Sequence, residues 1–332
     1  MIEVPAARTP AAAGIRAAYS ARRALRSASA VHLEFGSNDV ETFWLTLAAV
    51  LMRRDCVVVA HDYPKIINKP AAGILRKSSR LGSVLAYRVF CPLFDPLLVL
   101  ILRRRAGVVV VLGEDARAGW LEMGARRVEV IRLGGELATD GSLPPSRGEA
   151  ILFAGFLGPG KGIDILLEAW SLISERADLP LIVAGAAGPP NDVWVARLAM
   201  RFSSMPNAPR FIGSVPKDHD FQRLIGRAAV VVLPYRYSSP ASGVLARAMS
   251  AGRPVVATPV PATRGTIQDR ENGLLVPIGD AGALAHALLC LCKSPEERDR
   301  LGAAAAQTAL RLFSWTSHVD GIELAYKTAV HG

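Results

Sequence analysis

PYRYSSPASGVLARAMSAGRPVVAT, Pro234 to Thr258, is the stretch that decides the fold. An apolar run, Ala228 to Leu233 (AAVVVL), stands before it and has the continuous hydrophobicity of a strand buried on both faces. A polar loop follows, Ser238 to Gly243. A short helix, Val244 to Ala251, then ends at Gly252, where glycine supplies the left-handed residue that closes many helices. Pro254 to Ala257 reads as a second strand. Strand, loop, helix and strand make a βαβ unit, whose loop lies at the carboxyl end of the strand, where open α/β sheets bind ligands. The helix start at Ser242, Gly243 and Val244 offers free backbone N–H groups and a positive dipole end, a site suited to phosphate. The same residues serve equally as a plain helix cap, and their spacing does not choose between the two.

The segment from Pro234 to Asp280 also carries a resemblance. Its ordered pieces, AMSAGRPVVAT and then ENGLLVPIGD (Glu271 to Asp280), resemble the donor-sugar half of the retaining nucleotide-sugar glycosyltransferases of family 4. The resemblance implies an α/β protein of the GT-B fold, two Rossmann-like doubly wound domains facing a cleft. It divides the chain into an acceptor-side domain over residues 1–140, expected to be shortened at its N-terminus, a donor-binding domain over 149–312, and a closing helix over 313–332 that crosses back to the first domain.

Upstream, Ala150 to Ala154 reads as a strand, followed by GFLGPGKG (Gly155 to Gly162) and a helix from Ile163 to Arg176. Gly155, Gly160 and Lys161 have Walker A spacing, but that loop needs Ser or Thr after the lysine to hold magnesium, and position 162 is Gly. This argues against a nucleotide hydrolase. Lys161 stands where the resembled family places a diphosphate-binding lysine, and a cation there would offset charge building on the leaving diphosphate. By the same resemblance Gly155, Ser239, Ser242, Gly243, Val244 and Arg247 lie around the donor's diphosphate and sugar. Ile212, Gly213 and Val215, within FIGSV, lie beside its nucleobase. Glycine-bearing turns of that kind also occur for packing alone.

Four positions depart from the family pattern. Phe156 stands where an arginine is usual. The paired glutamates of the family, aligned on AMSAG, are replaced by Ser239 and Arg247, and Gly265 occupies a third glutamate position. Arg247 reverses the charge of a carboxylate that would contact the ribose. Two readings follow: a divergent transferase, or a degenerate homologue that binds a sugar nucleotide or a partner without turnover.

The first half opens with an Ala- and Arg-rich segment. Ile15 to Ala30 reads as a basic amphipathic helix, solvated in preference to membrane-bound. Strands are expected at Val31–Phe35 and Asp55–Ala60, with a helix from Val40 to Met52 between them. The second strand runs into His61 and Asp62, a polar pair at a strand tip, which caps a turn by default. The resemblance gives His61 the role of facing the reacting sugar. Pro92, Asp95 and Pro96 break the apolar run before Arg103, and Leu97–Leu102 is far short of the ~20 residues that span a bilayer. A buried helix and then a strand, Gly107 to Leu112, are expected, with Arg103–Arg105 leaving a peripheral membrane contact open. A helix from Glu114 to Gly124 and a strand from Val128 to Leu133 lead to a Pro-, Ser- and Gly-bearing linker, Gly141 to Gly148.

Composition bounds the rest. The chain has 332 residues, 51% hydrophobic and 20% charged, a globular balance with room for two domains. Net charge is +10, of which +7 falls in residues 1–150. That favours anionic partners, but with 6% aromatics and no nucleic-acid motif it does not point to nucleic acid. Cys56, Cys91, Cys290 and Cys292 fit neither a zinc ribbon nor a redox pair and are expected as buried free thiols in a reducing cytosol. No signal peptide is read at the start. The expected protein is cytoplasmic, or held at the inner face of the membrane. It needs no metal and no cofactor, and takes a nucleotide-diphosphate sugar as donor and a hydroxyl of a lipid-linked or glycan molecule as acceptor.

Overall fold

The apolar runs VVV and VVVV form strands because each is covered on both faces. Cys56–Ala60 (β2) and Val108–Val111 (β3) are buried at every residue. With Val31–Phe35 (β1) and Val128–Val130 (β4) they form a parallel sheet in the order β1-β2-β3-β4. Helix α1, Glu114–Glu122, links β3 to β4 and buries Trp120 completely. The computed structural model describes residues 19, 25, 27–35, 49–52, 55–61, 99–134, 144–188, 191–238 and 241–331. Residues 99–105 are helical with Leu102 buried, as the apolar run before the arginines suggests. Most of the amphipathic segment at 15–30 and the helix read at 40–52 lie outside the described residues, as do Asp62, Cys91 and residues 141–143 of the linker.

The chain divides into two compact units, residues 1–132 with 318–332, and residues 133–317. Each has its own hydrophobic core. The second unit is built on a parallel sheet of Ile151–Ala154 (β5), Leu181–Ala184 (β6), Arg210–Gly213 (β7), Val230–Leu233 (β8), Val255–Ala257 (β9) and Leu274–Leu275 (β10). Their order is β10-β9-β8-β5-β6-β7. The chain winds outward from β5 through β6 to β7, then restarts at β8 on the other side. β5 and β8 are therefore neighbours whose connections leave in opposite directions, the switch point at which such sheets open a crevice. The connecting helices are Ile163–Ser171 (α2), Asn191–Arg201 (α3), Asp218–Gly226 (α4) and Gly243–Ser250 (α5), followed by Ala281–Lys293 (α6) and Pro295–Leu312 (α7). α2 ends at Ser171, short of Arg176, and the chain continues in turns.

Buried arginines hold the frame of this unit. Arg298 on α7 donates to the carbonyls of Pro145, Ser146, Leu291 and Cys292, and Asp299 accepts from the Ser146 amide at 2.7 Å. The short 3₁₀ turn Pro145–Arg147 is thereby fastened to α7. Arg253 donates to the carbonyls of Ala251 and Ala228. Burial lowers its affinity for a proton to a pKa of about 10, with Asp299 opposing, so it is charged at neutral pH.

One cysteine expectation is corrected. Cys56 and Cys292 are buried free thiols, but Cys290 is exposed, its sulfur 3.6 Å from Nε2 of His286 one helical turn earlier. On α6 the run HALLCLC places Leu288, Leu291 and Cys292 inward, which turns position 290 to solvent.

Helix α8, Trp315–His331, completes the first unit. The Tyr326 hydroxyl meets His32 Nδ1 at 2.9 Å, Arg127 donates to the Thr328 carbonyl, and His318 Nδ1 lies 2.8 Å from the Arg132 carbonyl oxygen. Burial lowers the pKa of His32; Glu34 raises it, and His318 and His61 lower it further. The folded imidazole therefore holds its proton less firmly than the unfolded one. Stability from this group is complete above the unfolded value near 6.5 and is lost as pH falls below it. The first unit should melt at progressively lower temperature between about pH 7.5 and pH 5.5, and His32→Gln should flatten that slope. An unchanged slope in His32→Gln would assign the acid sensitivity to another group.

Candidate functional site

The carboxyl ends of β5 and β8 supply the site, because the switch point leaves their loops free to diverge. After β5, the chain passes through Gly155 and a 3₁₀ turn, Pro159–Lys161, into α2. Gly162 ends that turn in the left-handed region, at φ 67°. A Cβ there would lie 1.9 Å from the Pro234 carbonyl oxygen. The residue that breaks the Walker pattern is thus fixed as glycine by the close approach of the β8 end.

Lys161 is half-buried, and its Nζ stands 3.9 Å from the centre of the Tyr235 ring. A cation over an aromatic face is held by the ring quadrupole. Tyr235 is itself buried, which pushes its phenol pKa up, with a hydrogen bond to Ser242 pulling the other way. Ser242 is the N-cap of α5, its hydroxyl accepting from the Leu245 amide at 3.3 Å. A chain of contacts therefore runs from the lysine through the tyrosine to the helix start. Gly243 faces open space, and a Cβ added at Gly155 would sit 3.7 Å from Val244. By position the amides of Gly243 and Val244 have no acceptor inside the helix. The Ser242 hydroxyl caps the helix as the plain reading supposed, and the cap leaves those first amides available.

Ser242→Ala removes the cap bond and the bond with buried Tyr235 and should cost about 1–3 kcal/mol of unfolding free energy in the second unit. Chemical denaturation measures it; a loss under a few tenths would mean that solvent replaces the hydroxyl without penalty.

The other expected residues fall as follows. Arg247, on α5, is ion-paired with Asp218 of α4 at 2.6 Å, and its guanidinium lies 5.6 Å from the Phe221 ring. Its charge is answered within the protein. Ile212 and Gly213 end β7, both exposed, with nothing within 4 Å of the Cβ position of Gly213; Val215 follows, packed against the core. Gly185, at the end of β6, donates to the Gly213 carbonyl at 2.7 Å. A Cβ on Gly185 would strike the Gly155 carbonyl oxygen at 1.8 Å, so the strand ends of β5, β6 and β7 are packed backbone on backbone. Phe156 is 82% exposed beside Gly155. Ser239 lies outside the described residues.

His61 belongs to the first unit. It follows β2 directly, and its Nε2 is 3.6 Å from Glu34 Oε2, while Glu34 also stands 3.7 Å from His32. Among the described residues no group of three or more His, Cys, Asp or Glu side chains is arranged to hold a metal ion.

Sequence reasoning missed Arg236. Its guanidinium grips Asp164 in α2 through two bonds of 2.7 Å and donates to the Pro159 carbonyl at 2.8 Å, while its amide donates to the Gly160 carbonyl at 3.0 Å. Burial would raise the pKa of Asp164, but Arg236 and nearby amides outweigh it and hold the carboxyl below its ordinary value.

The sequence profile of the family "Glycosyl transferases group 1" matches residues 148–294, the strands and helices that build this crevice. The second unit is a group 1 glycosyltransferase domain. The chain as a whole has the GT-B fold. It superposes on Anabaena HepE, solved in complex with UDP, at a TM-score of 0.72 with 18% identity, covering 94% of this chain and 82% of that one. A glycosyltransferase from Rickettsia africae gives 0.74 at 15% identity, covering 99% and 84%. Among sequences, the phosphatidyl-myo-inositol mannosyltransferase of Mycobacterium leprae is 33% identical over 192 residues, 55% of this chain and 48% of that protein. The D-inositol 3-phosphate glycosyltransferase of Streptomyces scabiei is 33% identical over 190 residues, 54% and 41%. The chain spans about half the length of these two relatives.

Proposed function

We propose that this chain transfers a sugar from a nucleotide-diphosphate sugar to a hydroxyl acceptor, with retention of anomeric configuration and without a bound metal. The observation that carries the reading is the pairing of Lys161 with the open N-terminus of α5 at the switch point of a glycosyltransferase domain. As the bond between sugar and diphosphate breaks, negative charge grows on the leaving oxygen. A fixed ammonium and fixed backbone amides stabilise that charge more than they stabilise the bound donor. Ser242, Gly243 and Val244 would meet the diphosphate together with Lys161, and Ile212, Gly213 and Val215 would border the nucleobase. Ser239 and Arg247 belong to the same proposed donor loop and helix. His61 would contact the transferred sugar. HepE, in the complexes named for UDP-glucose and for UDP, is the structural precedent for such a donor.

The acceptor is proposed to be a hydroxyl on a lipid-linked or glycan molecule. The relatives' names, a phosphatidyl-myo-inositol mannosyltransferase and a D-inositol 3-phosphate glycosyltransferase, and the +7 charge of residues 1–150 both favour an acceptor that carries phosphate. No helix among the described residues is long and apolar enough to cross a membrane, and peripheral attachment to an anionic surface is part of the proposal. A second reading, a degenerate homologue that binds a donor or partner without turnover, draws on Ser239 and Arg247 at the two glutamate positions, the latter already paired with Asp218.

The test is a thermal-shift series against UDP-, GDP- and ADP-sugars without added metal, followed by transfer assays read by NMR of the product's anomeric proton. A ligand that binds only the folded state raises the melting temperature by mass action. A shift with one donor and a product of retained configuration are expected. A shift without turnover against any acceptor favours the homologue that binds a donor without transferring it, and no shift with any donor overturns the transferase and favours the partner-binding homologue.

A further inference from the structure

Arg236 stands just beyond β8 and reaches back to the first turn of α2, 72 residues earlier in the chain. Its planar guanidinium meets both oxygens of Asp164, the geometry that most restricts the motion of the two partners. The same side chain and its own amide take up two carbonyls of the 3₁₀ turn, those of Pro159 and Gly160. The next side chain, Tyr237, lies against Gly160 so closely that a Cβ there would come within 2.5 Å of its ring. Lys161 is the following residue. The turn that carries the lysine is thus tied at its back by Arg236, while the ammonium rests on Tyr235, the residue before Arg236. Three consecutive residues, Tyr235 to Tyr237, address three parts of one turn.

We infer that Arg236 and Asp164 are positioning residues for Lys161, setting where its ammonium meets the diphosphate of the donor. The inference rests on the donor site proposed above. A partly exposed ion pair contributes little to stability by itself, about 0–1 kcal/mol. The value of this one lies in fixing a short turn that presents a long, flexible lysine side chain. Asp164 keeps its charge at neutral pH, since its carboxyl is held below the ordinary range. The tie is intact above the unfolded-state value near 3.9 and is lost as pH falls through the folded one.

The experiment compares binding of nucleoside diphosphates and the matching monophosphates (UDP with UMP, GDP with GMP, ADP with AMP) by titration calorimetry. The readout is the ratio of the two affinities for whichever base binds. Arg236→Ala and Asp164→Asn should each lower that ratio about tenfold, which corresponds to ~1.4 kcal/mol. Neither should lower it by more than about twofold in a Lys161→Ala background, because the effect passes through the lysine. Arg236→Lys should recover little, since an ammonium cannot reproduce the two parallel bonds. Asp164→Asn preserves shape and serves if Arg236→Ala does not fold. Equal losses for diphosphate and monophosphate, or losses fully additive with Lys161→Ala, would overturn the inference and leave the pair a stabilising contact. If the wild-type protein binds no nucleoside diphosphate, the donor site itself fails. If it binds and Lys161 matters while Arg236 and Asp164 do not, only this inference falls.

Discussion

Lys161→Ala is expected to slow sugar transfer by about 10²–10³-fold, the usual cost of removing one preorganised group that stabilises developing charge. The folded protein should survive the change. The ammonium contributes a cation–π contact with Tyr235, worth about 0.5–1 kcal/mol at a partly exposed site, and its removal opens no cavity in the core. Melting temperature and turnover should therefore separate. The affinity for a nucleoside diphosphate should fall with the rate, and the affinity for the bare nucleoside should not. A variant that transfers sugar within threefold of the wild-type rate would remove Lys161 from the mechanism and hand its charge to another group. A variant that fails to fold would show that the lysine serves the structure first.

The second large effect is on stability. Gly162→Ala should cost about 2–5 kcal/mol, from a left-handed backbone that alanine adopts at a penalty and from a methyl group forced against backbone. The Cβ would stand 1.9 Å from the Pro234 carbonyl oxygen and 2.9 Å from its carbon. Neither atom belongs to a flexible side chain, so the turn and the end of β8 must move apart. For a unit of this size the loss corresponds to roughly 5–15 °C in melting temperature. The shift would also carry Lys161, the preceding residue, away from Tyr235, and donor affinity should fall with stability. Differential scanning calorimetry with and without a nucleoside diphosphate reads both. A loss below 1 kcal/mol would mean that the turn and the β8 end yield to each other and that Pro234 does not hold position 162 to glycine.

The strands were legible because their burial is written into single runs: VVVV at 108–111 and VVVL at 230–233 have nowhere to go but between two covering layers. The cap at Ser242 and the left-handed Gly252 were legible for the same local reason. Arg236 was not. Its partner Asp164 is 72 residues away, and a lone arginine in a loop rich in serine and proline gives no sign of which carboxylate it will find. Gly162 was read as a missing magnesium ligand. Its structural cause, the approach of Pro234, is a contact between the start of α2 and the end of β8 that only the sheet order brings together. Cys290 was read as buried because HALLCLC is apolar after His286; that histidine, one helical turn before Cys290, marks the face that turns outward. In the candidate site, the residue types could be read from motif and resemblance; the ties that fix their positions are long-range and could not.

The discontinuity of the first unit has a consequence for biosynthesis. Its sheet is made from residues near the start of the sequence, yet α8 belongs to it, and the bond from Tyr326 to His32 joins residues 294 apart. Domains generally fold in the order in which they leave the ribosome. Here the order is interrupted: β1 to β4 emerge first, the whole glycosyltransferase domain is made next, and only then does the helix arrive that covers His32. The early sheet must wait, with one side incomplete, while the second unit gathers its own core. A released chain that ends just short of α8 would carry nearly all of the second unit beside an unfinished first one, a state that chaperones and proteases can tell from the complete protein.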